Sequence, residues 1–257
     1  MEYGICNLSV IPVRQENSHR SEQISQLLFG EYFQIIESST LWVKIKTSFD
    51  GYIGWIDSKQ FLSISEEEFI KLESSEHYLA KDYIDMIFDD NNNVIPVTIG
   101  SLLPFYSENS FRLGLKTYSY EGQVESCSFK NKSQLVETAY TYLNAPYLWG
   151  GKSPLGIDCS GFTQIVYKMS GIQIPRDAID QANIGDVLSF IEESEPGDLA
   201  FFDDDEGNIT HVGIILENNY IIHAYGSVRV DRIDHTGIFN IDTKRHTHKL
   251  RVIKKIC

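Results

Sequence analysis

The first 63 residues are broken into short β-branched or aromatic runs, "SVIPVR", "EYFQIIE", "LWVKIK" and "GYIGWI", and turn formers divide them. Asp50-Gly51 is a hairpin signal between two such runs, and Gly30 opens another strand. Residues 1–63 therefore read as a small all-β unit. The stretch that follows, "SISEEEFIKLESSEHYLAKDYI", scatters Phe69, Ile70, Leu72 and Leu79 among charges and reads as a connector with one helical turn.

Comparing the chain with itself at a displacement of 70 residues lays "GEYFQIIESSTLWVKIKT" (30–47) over "GSLLPFYSENSFRLGLKT" (100–117). Both segments begin with Gly, place apolar residues at matching steps and end Lys-Thr before an aromatic turn. Two copies of one small β-barrel account for this most simply, with chance likeness of β-hairpins as the alternative. The expected divisions are 1–63 for the first barrel, 64–127 for the connector and second barrel, and 128–257 for the remainder.

From about residue 128 the pattern changes. "SQLVETAYTYLNAPY" spaces Leu135, Val136, Ala139, Tyr140 and Leu143 as one helical stripe, with Ser133 as N-cap and Pro146 as terminator. Strand-like runs follow, "DLAFFDD", "HVGIILE" and "YIIHAYG", with Asn218-Asn219 as turn material between the last two. The C-terminal part is therefore expected to be α+β, with helices preceding an antiparallel sheet.

The chain's 257 residues, 42% of them hydrophobic, suffice for a sizeable core. Its formal charge of −14, from 36 acidic against 22 basic residues, opposes nucleic-acid phosphates and anionic membrane surfaces, so neither is expected as a partner. No stretch approaches the roughly 18 consecutive apolar residues of a membrane span, and "MEYGICNLSVIPVRQ" lacks a basic segment followed by a long apolar run. Cys6, Cys127, Cys159 and Cys257 are far apart with no C-x-x-C pair, which argues against a zinc knuckle and a dense disulfide framework. A cytoplasmic location is expected, or an extracytoplasmic one if a leader has been removed. No feature of the sequence reports the oligomeric state.

Phe162, Ile165, Val166 and Met169 repeat at i, i+3, i+4, i+7, so one helix should run from about Ser160 to Ser170 and stop at Gly171. Cys159 then stands at its N-terminus. There the unpaired N–H groups and the positive dipole end should lower a thiol pKa toward neutrality. Asp158 is placed to cap the helix but would raise that pKa, so a cationic partner is required. Taken alone, Cys159 reads as a nucleophile, a metal ligand or a small core residue. The glycines of "LWGGKSPLGIDCSG" crowd around this cysteine and no other, which favours a functional site.

A cysteine nucleophile needs a base and a group that orients the base. His211 begins "HVGIILE" and His223 lies inside "YIIHAYG". The two share a face only if paired residues have numbers summing to an even value, whereas a strict two-residue turn gives an odd sum. An odd loop or a bulge is therefore expected. His246 and His248 form an H-x-H pair with no clustered carboxylate or cysteine, which reads as a solvated strand and not a metal site.

"YLWGG", "GIDCSGF", "IPRDAIDQ", "EPGDLAFFD", "HVGIILENNYIIHAYG" and "VRVDRID" together resemble the NlpC-type papain-like cysteine peptidases that cut bacterial cell-wall peptides. The likeness covers about residues 128–257. It implies a papain-like catalytic domain in which Cys159 is the nucleophile, His211 the base and His223 the polar residue that holds it, with Tyr147 aiding the Cys159 N–H at the oxyanion. The front part resembles the double bacterial SH3-like arrangement of the γ-D-glutamyl-L-diamino acid endopeptidases, through "IPVRQENSHRSEQISQLLFGE" and "GYIGW". That resemblance implies a stem-peptide substrate, L-Ala-γ-D-Glu-diamino acid, with a free N-terminus, and no cofactor or metal. Its implied amine-binding residues are Asp158, Ser160, Tyr52, and either Glu16 or Glu22. Ala178 departs from the family's hydroxyl in that block. Rival readings are an amidase or acyl transferase on the same scaffold, and a non-catalytic wall-binding module.

Overall fold

The computed structural model describes residues 1–128 and 131–257. They fall into two compact units, Met1–Ser128 with Trp149–Pro154, and 131–148 with 155–257.

The first unit opens with seven strands, β1 (Glu2–Ile5), β2 (Val10–Arg14), β3 (Gln23–Leu28), β4 (Tyr32–Ser38), β5 (Trp42–Thr47), β6 (Ile53–Asp57) and β7 (Leu62–Ile64). They form one antiparallel sheet in the order β3-β2-β6-β5-β4-β1-β7. Its apolar side chains gather into a core of Cys6, Ile11, Val13, Leu27, Phe33, Val43, Ile45 and Ile56. The Asp50-Gly51 signal is the β5–β6 turn, with Gly51 at φ 70° and the Asp50 carboxylate accepting the Tyr52 N–H at 3.1 Å. The charged connector holds more helix than the single turn expected. Ser65 caps α1 (Glu66–Ser74) through the Glu68 N–H, and Phe69 and Leu72 are its buried face.

After α1 come β8 (Tyr78–Ala80), β9 (Ile84–Asp89), β10 (Val94–Thr98), β11 (Ser110–Leu113), β12 (Lys116–Ser119) and β13 (Val124–Ser126). Four of these pair in the order β10-β9-β12-β11, and β13 pairs with β8. The 70-residue displacement holds at its glycines, which both take positive φ, 79° at Gly30 and 85° at Gly100. It fails downstream. Where the first segment runs continuously through β5, the second turns at Gly114-Leu115 between β11 and β12, and residues matching β4 are irregular, with Phe105 and Glu108 at positive φ. The two halves are knit together: the Leu102 N–H donates to the Phe29 carbonyl at 2.8 Å, and the Phe29 ring lies 5.8 Å from those of Phe111 and Tyr118.

Residues 149–154 also belong to this unit. The short strand β14 (Lys152–Ser153) buries Lys152, whose N–H donates to Gln26 Oε1 at 2.8 Å and whose ammonium lies 3.2 Å from Glu31 Oε1. Gly150, at φ 72°, passes so close to Gln23 that a Cβ would stand 2.3 Å from the Gln23 carbonyl oxygen. One of the costly glycines around Cys159 thus serves a backbone approach.

The second unit begins with α2 (Lys132–Thr141), followed by β15 (Gly156–Ile157), α3 (Cys159–Met169) and α4 (Ala178–Gln181). Asn131 caps α2, accepting the Gln134 N–H at 2.9 Å, so the expected cap at Ser133 is displaced by two residues. The helix ends before Pro146 is reached, and Asn144 at φ 70° turns the chain. Of the expected stripe Leu135 and Ala139 are buried, joined by Tyr142, while Tyr140 and Leu143 are exposed.

Seven strands complete the unit: β16 (Asp186–Leu188), β17 (Leu199–Asp203), β18 (Ile209–Leu216), β19 (Tyr220–Tyr225), β20 (Ser227–Ile233), β21 (Gly237–Asn240) and β22 (Arg245–Lys255). The order is β16-β22-β17-β18-β19-β20-β21, all antiparallel, and β22 also pairs with β21. The first half of β22 meets β21 and its second half meets β17, so the sheet closes into a ring of six. Ala200, Phe202, Ile215, Ile221, Ile233, Ile238 and Ile253 pack together as one core, and α3, buried along its whole length, lies against β18 and β19.

Candidate active site

Cys159 is the first residue of α3. The helix starts there because the Asp158 carboxylate accepts the Gly161 N–H at 2.6 Å. Arg176 grips the same carboxylate with two hydrogen bonds, Nη1 to Oδ1 at 3.0 Å and Nη2 to Oδ2 at 2.6 Å, and donates to Ser160 Oγ at 2.9 Å. All three residues are buried. Gln181 of α4 braces the same turn, donating to the Ser160 carbonyl at 3.0 Å and accepting from Thr163 Oγ1 at 2.7 Å. Ala178 is the first residue of that helix.

The thiol itself departs from the expectation. Burial first, and then the Asp158 charge, push Cys159 up to about 12, against the opposing pull of the Val212 backbone, Arg176 and the Ser160 backbone. A helix N-terminus lowers a thiol pKa where water reaches it; here desolvation outweighs the dipole. A backbone group that favours the thiolate must be donating, so the Val212 and Ser160 N–H groups point at the sulfur. The sulfur therefore lies against β18 at the residue next to His211.

The histidines are brought together by the register. Strands β18 and β19 pair as Ile214↔Ile222, Ile215↔Ile221 and Leu216↔Tyr220, an even sum, across the three residues 217–219. Asn218 and Asn219 both take positive φ in that odd loop. The ladder ends at Ile214, and beyond it His211 Nε2 and His223 Nδ1 meet at 2.8 Å. Both are buried, at 5% and 0% exposure. Gly213 makes room for them, because a Cβ there would stand 2.9 Å from the His223 Cβ. Burial, followed by the neighbouring His223 and His248, drives His211 well below the ordinary imidazole range. Burial thus disfavours charge on both groups, raising the thiol and lowering the imidazole.

Behind His223 stands a partner that the sequence reading did not name. His223 Nε2 is 3.1 Å from Asp231 Oδ2 on β20. Arg229 donates to both Asp231 oxygens, at 2.6 and 3.0 Å, and also to Asp242 at 2.6 Å. Burial opposes the Asp231 charge, but hydrogen bonds from His223, Arg229 and the Ile241 N–H hold the carboxyl down at about 2. Asp231 lies in the quoted block "VRVDRID", and its reach across the strand is the only signal that could have singled it out.

His248 corrects the solvated reading of the H-x-H pair. Its ring stacks on His211, centroids 4.2 Å apart, and it is half-buried. His246 does stay exposed, paired with Asp234 at 3.0 Å. Among the described residues no group of three or more His, Cys, Asp and Glu is placed to hold a metal.

Tyr147 lies by Cys159, its N–H donating to the Gly226 carbonyl at 3.0 Å. Burial, and then the nearby Cys159 and Asp158, push its phenol up to about 12, so it stays a donor. The residues expected from the first barrel lie in the first unit. Glu22 accepts from Trp149 Nε1, Glu16 is exposed in the β2–β3 loop with its N–H donating to Ser21 Oγ, and the Tyr52 N–H is held by Thr47 and Asp50.

Residues 144–247 match the NlpC/P60 family, and residues 13–61 match the bacterial dipeptidyl-peptidase Sh3 domain. The chain carries an NlpC/P60 domain, of the cysteine-peptidase type, behind a bacterial Sh3 domain. Among its curated relatives, a γ-D-glutamyl-L-lysine dipeptidyl-peptidase of Bacillus cereus is 29% identical over 227 residues, covering 78% of this chain. The present chain spans 66% of that relative's length. Dipeptidyl-peptidase 6 of Lysinibacillus sphaericus is 26% identical over 79% of this chain and 80% of its own. The crystal structure of an NlpC/P60 family protein from Bacillus cereus superposes with a TM-score of 0.83 at 21% identity, covering 99% of both chains. The fold is therefore a papain-like NlpC/P60 domain with an SH3-like domain ahead of it.

Proposed function

We propose that this protein is a cysteine endopeptidase that hydrolyses the γ-D-glutamyl–diamino acid bond of cell-wall stem peptides with a free N-terminal L-Ala. The observation that carries the reading is the buried His211–His223 pair on strands that part beside the Cys159 sulfur. The relatives named for a γ-D-glutamyl-L-lysine bond support the class of bond.

Because burial disfavours charge on both thiol and imidazole, the proposed thiolate forms as attack begins. His211 takes the Cys159 proton while the sulfur bonds to the γ-carbonyl carbon; the same proton then goes to the leaving amine as the C–N bond breaks, and water releases the acyl group. The Cys159 N–H, at the open end of α3, and the Tyr147 phenol stabilise the oxyanion. Asp158 and Ser160, already shared with Arg176, are the proposed acceptors for the substrate amine. Tyr52 and one of Glu16 and Glu22 remain the first-barrel candidates, and the seven-stranded sheet and the strands β8–β13 after it are read as two SH3-like barrels. The proposed compartment is the cytoplasm, where thiols such as Cys6 and Cys127 stay reduced.

Mass spectrometry of L-Ala-γ-D-Glu-diamino acid peptides with free and acetylated amino ends tests this. The free peptides should release the diamino acid and the acetylated ones scarcely at all. Equal rates would remove the amine requirement, and no cleavage of either would remove the peptidase.

A further inference from the structure

The bond between His211 and His223 can run in either direction, and only one direction leaves a base facing the nucleophile. We propose that Asp231 is a positioning residue that fixes the proton order Asp231←His223←His211, so that His211 Nδ1 is the atom that takes the Cys159 proton; this rests on the peptidase reading for its catalytic meaning.

Asp231 is fully buried on β20, opposite Ile221 and diagonal to His223. Arg229 Nε at 2.6 Å, Arg229 Nη2 at 3.0 Å, the Ile241 N–H at 3.1 Å and Asn240 Nδ2 at 3.5 Å also donate to its oxygens. Arg229 is tied in turn to Asp242, so the carboxylate is ionised and cannot rotate away. An ionised carboxylate only accepts, which puts a proton on His223 Nε2. Neutral His223 has no second proton, so its Nδ1 accepts and His211 Nε2 donates across the 2.8 Å bond. The lone pair of His211 is then on Nδ1. Reversing the order would protonate Nδ1 and leave nothing to receive the thiol proton. When that proton arrives, the His211 imidazolium is backed through neutral His223 by the Asp231 charge.

The test is long-range ¹⁵N–¹H NMR of the full chain labelled with ¹⁵N-histidine at neutral pH, beside steady-state kinetics. Wild type should show His211 and His223 both protonated at Nε2 and bare at Nδ1. In Asp231→Asn the amide can donate to His223, and both rings should switch to Nδ1–H. The variant's kcat should fall by about 10³- to 10⁴-fold, the scale of loss caused by a catalytic imidazole held in the wrong tautomer, with KM little changed. A wild-type spectrum with either ring protonated at Nδ1 overturns the proposal, as does an Asn variant that keeps both tautomers and its kcat. If the variant does not fold, the wild-type spectrum alone decides. Expected tautomers together with no hydrolysis of any stem peptide would uphold the proton order and sink the substrate reading.

Discussion

His248 lies almost flat on His211, with ring centroids 4.2 Å apart and 26° between the planes. Tyr225 and Phe202 hold His248 edge-on from either side, at 4.8 and 5.9 Å. A ring clamped in this way limits the rotation of the His211 ring it covers. His248→Ala should therefore lower kcat by about 10-fold through looser orientation of His211, and His248→Phe, which restores a flat face, should recover most of the loss. Steady-state kinetics of both variants on one peptide checks this; equal activity in all three proteins would show that the stack has no part in positioning.

The same cluster makes stability depend on pH. Burial, then the nearby His223, depresses His248 to about 4, and His211 and His223 are lowered as well. The unfolded chain binds these protons near 6.5, so it holds more protons than the folded state below that value. Stability should thus be complete above about pH 6.5 and fall as the pH drops toward 4. Urea midpoints across that range should show the decline, and His248→Gln should flatten it. A midpoint that stays constant from pH 7 to 4 would contradict the cluster's depressed basicity.

Arg176 is the cation that neutralises the Asp158 carboxylate at the start of α3, and both are buried. Arg176→Met leaves that charge unpaired, which costs about 3–5 kcal/mol. Asp158→Asn keeps an oxygen for the Gly161 N–H but leaves Arg176 buried without its counter-ion, so it should also destabilise. The double variant, having no buried charge left, should recover part of the loss. Chemical denaturation of the four proteins provides the double-mutant cycle; additive losses would show that the pair is not coupled.

Much of the site was legible because it is local or periodic. The phase of Phe162, Ile165, Val166 and Met169 places Cys159 at a helix start, and parity alone demands the odd loop that puts His211 and His223 on one face. What escaped depends on long-range register. Arg176 reaches back 18 residues to Asp158, Asp231 is diagonal to His223, and His248 stacks on His211 because β22 closes the ring. Alternation along "HTHKL" describes a solvated strand equally well. The thiol was misjudged for a related reason: the dipole is a property of the local helix, whereas the burial that overrides it comes from the whole unit.

Gly213 joins the fold to the chemistry most directly. Its missing side chain is the space beside His223 and Ile221, where a Cβ would stand 2.9 Å from the His223 Cβ and 2.8 Å from the Ile221 Cδ1. Neither neighbour can retreat freely, since Ile221 is fully buried and His223 is bonded on both sides, to His211 and Asp231. Gly213→Ala should therefore cost about 1–3 kcal/mol through overpacking. It should also lower kcat more than the stability loss explains, because the cheapest relief is to move the His223 ring and break the His211 bond. Ala200→Gly, across the β17–β18 ladder from Gly213, is the control: it loosens the same core without pushing on His223. Comparing kcat at matched folded fraction separates the two effects. An alanine at 213 with full kcat would mean that His223 tolerates displacement and that the hydrogen bond it makes to His211 is dispensable.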